Sequence, residues 1–99
     1  MFNWFNARRA TEFGEQLAVF FADRVPAASI PATDKKPLRH ALEVIQKMHR
    51  QLAEFRASEK LNIYKKAKLA NTFQWKLIEL GYDKRIVQEL TKELLLHAL

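Results

Sequence analysis

The stretch that most constrains this chain is Leu77-Ile78-Glu79-Leu80-Gly81-Tyr82-Asp83. An apolar pattern ends at Leu80, and Gly81 follows where a helix end favours a left-handed residue without a Cβ. Asp83 then offers a carboxylate to the free N–H groups of a following helix, whose positive end also favours the charge. After this corner Ile86, Leu90, Leu94 and His97 recur at spacings of three and four, with Val87 beside them. Before it Ile63, Ala67, Leu69, Ala70, Phe73, Leu77 and Leu80 fall within roughly 160° of helical arc. Lys65, Lys68, Thr72, Lys76 and Glu79 take the opposite, wet side, with Tyr64 and Trp75 at the edge of the arc. Two amphipathic helices near 62–80 and 84–97 are expected, each with a stripe that something must cover.

The upstream half supplies the cover. Leu38, Ala41, Leu42, Ile45, Met48, Leu52 and Phe55 form a sustained helical seam, which predicts a helix near 35–57. Thr33 or Asp34 caps it and Pro37 is tolerated in its first turn. Around Ser58–Asn62 the seam loses register. No Gly or Pro forces a break there, but Ser58 or Asn62 suits the cap of a new helix, and a break is expected over a continuous or kinked helix.

The opening segment predicts a Phe-rich helix near 7–25, capped by Asn3 or Asn6. Phe13, Leu17, Phe20 and Phe21 share one face, and Phe2 and Phe5 extend it backward if the helix starts earlier. Gly14 sits inside the pattern at a cost of about 1 kcal/mol against Ala and marks a close helix contact. Between the first two helices lies a linker at 26–34, where Pro26 and Pro31 remove donors and favour extended backbone. Ile30 in that linker is expected to tuck against the bundle.

With two Gly, three Pro and few β-branched residues, the composition favours helices over a sheet. A hydrophobic share of 48% with seven Phe is far from a disordered composition. The expected fold is therefore all-α: residues 1–99 form a single small domain, a four-helix, mainly antiparallel bundle. The absence of Cys leaves no disulfide or thiolate chemistry, and no apolar run approaches the ~20 residues of a membrane span. The aromatic start, Phe2, Trp4 and Phe5 before Arg8 and Arg9, has no long apolar core of a secretory signal. A core-facing helix is favoured there over a membrane-surface anchor, and a cytoplasmic location is expected.

Motifs for chemistry are few. His40 and His49 lie about 180° apart on one helix, so they cannot share an ion unaided. His97 with Glu93 makes half a site at most. Phosphate loops, nucleophile elbows and HExxH patterns are lacking, and the carboxylates spread along polar faces. Neither enzymatic activity nor a cofactor or metal is expected.

The net charge of +6 is concentrated in the middle of the chain. Lys60, Lys65, Lys66, Lys68 and Lys76 fall in 60–78 with no acid among them. Together with Tyr64, Asn71, Gln74 and Trp75 they permit a basic helical module that contacts nucleic acid, with Lys65, Lys68 and Lys76 on phosphates. Against it, the helix lacks Arg, and lysine-rich faces are commonly just solvated.

Leu77–Leu90 resembles the helix, Gly-aromatic loop and helix of ubiquitin-associated-type modules, which implies a loop and following helix that bind a protein. The long helix before it departs from that compact module, and no family is assigned. The favoured function is a non-catalytic protein-interaction or regulatory module, with a second protein or a second copy as partner in a homodimer. Leu95, Leu96 and Leu99 are its candidate interface, because Leu96 and Leu99 lie roughly 120–180° from Leu90 and cannot all join one core.

Overall fold

The computed structural model describes residues 6–30 and 39–96, and these form four α-helices and no strand. They are α1 (Arg8–Arg24), α2 (Arg39–Ser58), α3 (Ile63–Glu79) and α4 (Lys84–Leu96), with a short 3-10 turn at Ala27–Ser29 after α1. The expected caps at Asn3, Thr33 and Asp34, the extension through Phe2 and Phe5, and His97 and Leu99 lie outside the described residues. No helix among those described is long and apolar enough to cross a membrane.

Local chemistry sets the helix ends. The cap position of α1 is taken by Ala7 rather than by Asn6 as expected, and Asn6, one place further out, accepts from the Arg8 N–H at 3.3 Å through its carboxamide oxygen. α2 does stop at Ser58, whose hydroxyl turns back to donate to the Phe55 carbonyl at 3.2 Å. Asn62 is the cap of α3, its side-chain oxygen accepting from the Lys65 N–H at 2.8 Å.

At the corner Gly81 has φ 99°, in the left-handed region. The Gly81 N–H donates to the Ile78 carbonyl at 3.0 Å and the Tyr82 N–H to the Leu77 carbonyl at 3.1 Å. That pair of bonds is the glycine-terminated helix end the sequence predicts. Asp83 accepts from the Arg85 N–H at 2.9 Å. That bond holds its carboxyl below the ordinary aspartate range against an opposing desolvation cost, with the Arg85 charge adding to the lowering.

Contacts between helices give their directions. His40 at the start of α2 bonds the Arg24 carbonyl at the end of α1 (3.1 Å), and Phe55 near the end of α2 stacks on Phe13 near the start of α1, centroids 4.2 Å apart. α1 and α2 are therefore antiparallel. α4 returns along α3 after the corner, and His49 of α2 bonds the Glu93 carbonyl of α4 at 3.3 Å. Consecutive helices alternate in direction, as in an up-down-up-down bundle.

The most extensive contact, however, joins the parallel pair α1 and α3. Gly14 is the reason. A Cβ there would lie 2.6 Å from the Leu69 carbonyl oxygen and 3.2 Å from the Thr72 Cβ, so only glycine lets the two backbones meet. One residue past the end of α1, the buried Tyr82 hydroxyl donates to the Val25 carbonyl and ties the corner to α1. Burial, with the nearby Asp23 charge, pushes the Tyr82 phenol up from its ordinary pKa.

The core is a single apolar cluster. Leu17, Phe21, Ile45, Met48, Leu52, Leu69, Phe73, Leu77, Leu90 and Leu94 are fully buried in it. Ile30 packs partly against it, as expected for the linker. On α2 one seam position is corrected: Leu42 faces outward, and Val44 takes its place inside.

Candidate interaction surfaces

α3 supplies most of the chemistry predicted from the sequence, and its orientation decides which of those residues are usable. The buried side of α3 carries Lys65, Leu69, Ala70, Phe73 and Leu77. Relative to the arc predicted from apolar residues alone, it is turned by about 40° toward Lys65 and Thr72, at ~100° per residue. Ile63 and Ala67, expected inside, are out, and Ile63 is 78% exposed. The turn follows from Gly14: α1 settles over Leu69, at one edge of the predicted apolar arc, and over Thr72, on the side predicted to face water.

This placement corrects the reading of the three lysines as one wet face. Lys65 is only 5% exposed. Its Nζ lies 3.5 Å from one carboxylate oxygen of Glu59, and the other oxygen lies 3.0 Å from the Arg9 guanidinium. Glu59, in the connection before α3, thus bridges a buried and an exposed cation, and Lys65 is occupied in tying α3 to the start of α1. Lys76 is half-buried and 3.7 Å from Glu79. It borders a shallow open depression of about 590 Å³ on the outward side of α1, with Glu12, Glu15 and Asp23 among its lining. Lys68 alone of the three is exposed on the outer side of α3, with its Nζ 5.8 Å from the Tyr64 ring centre.

That outer side is the more informative surface. Tyr64, Lys68, Asn71 and Trp75 follow one another at spacings of four, three and four, so they form one stripe. Trp75 is 54% exposed, yet its indole N–H donates to the Asn71 side-chain oxygen at 3.0 Å. The ring is therefore held in place while about half of the residue's surface meets solvent. The sequence contained this signal in the four-three-four spacing, which a search for the apolar face of α3 passes over.

At the other candidate interface Ile86, Leu90 and Leu94 of α4 enter the core, as expected. Leu95 packs partly against it and Leu96 is 57% exposed, while Leu99 lies outside the described residues. The loop aromatic of the ubiquitin-associated-like corner is not offered to a partner here. Tyr82 is buried and committed to Val25. Among the described residues no three His, Asp or Glu side chains converge as a metal site. Neither a family model nor a characterised protein nor a solved structure matches the chain.

Proposed function

We propose that this chain is a non-catalytic helical interaction module, regulatory in the sense that binding rather than chemistry is its output. It engages its partner through large side chains that the four-helix core leaves outside. Trp75 carries this reading. A tryptophan that stabilises only its own domain is normally covered, whereas this one is exposed and oriented by Asn71. A large, pre-oriented aromatic is the residue type that dominates protein–protein hot spots, because little conformational freedom is lost on docking.

Leu96, with Leu95 beside it and Leu99 beyond, is a second contact on the same principle. Affinity capture with the wild type, with Trp75→Ala and with a Leu95→Ser, Leu96→Ser, Leu99→Ser variant tests both. Partners retained by the wild type and lost with either variant support the reading. Equal capture by all three, with helicity unchanged, removes both surfaces.

Nucleic-acid contact is the second reading, and it now rests on Lys68 between the Tyr64 and Trp75 rings. Binding through that stripe would combine stacking with one phosphate contact. Replacing Lys68 with Gln should then reduce the salt slope of binding by about one. No mobility shift at low salt would dismiss it.

A further inference from the structure

Two cations share one carboxylate where α1 and α3 begin. The Arg9 guanidinium lies 3.0 Å from one Glu59 oxygen and the Lys65 ammonium 3.5 Å from the other, so the three groups together keep one unit of positive charge. The Lys65 side chain is buried, and an ammonium has three donors to satisfy. Among the described residues it meets a single acceptor, at the long limit of a hydrogen bond. Glu59 thus gives Lys65 a countercharge but takes up little of its hydrogen-bonding capacity. Lys65 also stands in the first turn of α3, where the helix dipole adds positive charge. Beside these groups is a depression of about 320 Å³ with Asn6, Arg9, Ser58 and Glu59 in its wall. Lys65 is not part of that wall; it bonds the Glu59 carboxylate that is.

We propose that Arg9 and Lys65 form a site for a phosphate monoester dianion, and that Glu59 occupies the site from within in the ligand's place. The charge count selects the ligand. A carboxylate neutralises one of the two cations, whereas a monoester carries close to two negative charges at about pH 7 and neutralises both. Its three terminal oxygens can accept two parallel N–H bonds from Arg9 and further bonds from Lys65. A phosphodiester has one charge and would do no more than Glu59 already does. Glu59 can give way because it is the first residue beyond α2, so no following helical turn holds its side chain. The Ser58 hydroxyl, now donating to the Phe55 carbonyl, is in the same wall and can turn toward the phosphate. The site shares no residue with the Trp75 stripe, and either can bind without the other.

The experiment uses the full chain at about pH 7, with ionic strength held constant by NaCl. Phenyl phosphate should give saturable amide NMR shifts at Arg9, Glu59 and Lys65 and raise the melting temperature as its concentration increases. Dimethyl phosphate, a diester with one charge, should bind about tenfold more weakly, and Arg9→Gln should weaken phenyl phosphate by about the same factor. Glu59→Gln removes a like charge from the site and should tighten phenyl phosphate by about tenfold or more. Without ligand that variant should be less stable, since Lys65 is left buried and unpaired, and phenyl phosphate should restore it. A phosphoserine peptide that binds more tightly than phenyl phosphate assigns the phosphate to a modified protein, and equal binding assigns it to a small molecule. A Glu59→Gln protein that phenyl phosphate neither binds more tightly nor restores reduces the three groups to a structural ion pair and overturns the site. Equal binding to the wild type and to Arg9→Gln, whose exposed side chain can change without unfolding the chain, overturns it as well.

Discussion

Gly14→Ala should destabilise this protein, although the same change in most helices does the reverse. In an open helix interior alanine is favoured over glycine by about 1 kcal/mol. Here the added Cβ would sit 2.6 Å from the Leu69 carbonyl oxygen and 3.2 Å from the Thr72 Cβ. The first of these is backbone, fixed by the hydrogen bonds of α3, so it cannot rotate aside as a side chain would. Relief requires α1 and α3 to separate along their whole contact, which loosens the packing of Leu17, Phe21, Leu69 and Phe73. Overpacking of this kind costs about 1–3 kcal/mol, and after the propensity gain a net loss of up to about 2 kcal/mol remains. Urea unfolding followed by circular dichroism should show a lower midpoint with an unchanged slope. Thermal unfolding should move down by about 4–8 °C for each kcal/mol lost. Ala53→Gly on the exposed side of α2 calibrates the propensity term and should cost about 1 kcal/mol. A Gly14→Ala protein more stable than the wild type would refute the close crossing, and with it the orientation of α3.

Phe73→Ala should cost about 3–5 kcal/mol, since the ring is fully buried between α3 and the rest of the core; a loss below 1 kcal/mol in the same urea assay would contradict that placement. Tyr82→Phe should cost about 1–3 kcal/mol by leaving the Val25 carbonyl without its donor. Because the folded Tyr82 pKa is raised, its contribution is present below the unfolded tyrosine pKa and is lost as pH rises through the folded value; Tyr82→Phe should flatten that alkaline decline. Asp83 works in the opposite direction. Its folded pKa is depressed, so its contribution is present above the unfolded aspartate pKa and is lost as pH falls through the folded value, and the stability gap between wild type and Asp83→Asn should close in acid.

The features legible in the sequence are those governed by neighbours in the chain. Asn62, Gly81 and Asp83 announce their roles because capping depends on groups two to five residues away. The same holds for Ile86, Leu90 and Leu94, whose spacing alone puts them on one side of α4. Errors begin where a choice between apolar candidates depends on another helix. On α2 both Leu42 and Val44 border the seam, and only the positions of α1 and α4 decide that Val44 goes in. The direction of the tightest helix pair was likewise illegible. Gly14 signals that some helix comes close, but a missing Cβ carries no information about which helix arrives or from which end.

The lysines show how one such unknown propagates into function. Sorting α3 by hydrophobicity assigns every lysine to water, because a charged side chain is rarely buried unless paired. The pairing partner of Lys65 is Glu59, which belongs to the connection before the helix and is invisible to any helical wheel. Once Gly14 draws α1 over Leu69 and Thr72, Lys65 lies beneath that contact with Glu59 to satisfy it, and Lys76 comes to border the acidic side of α1. The same turn that takes these two charges out of a common face brings Ile63 and Ala67 into solvent and leaves Tyr64, Lys68, Asn71 and Trp75 as the outer stripe. A contiguous phosphate-binding face would require α3 to sit about 40° away from where Gly14 fixes it. The missing Cβ at one position of α1 therefore selects which surface of α3 is left to meet a partner.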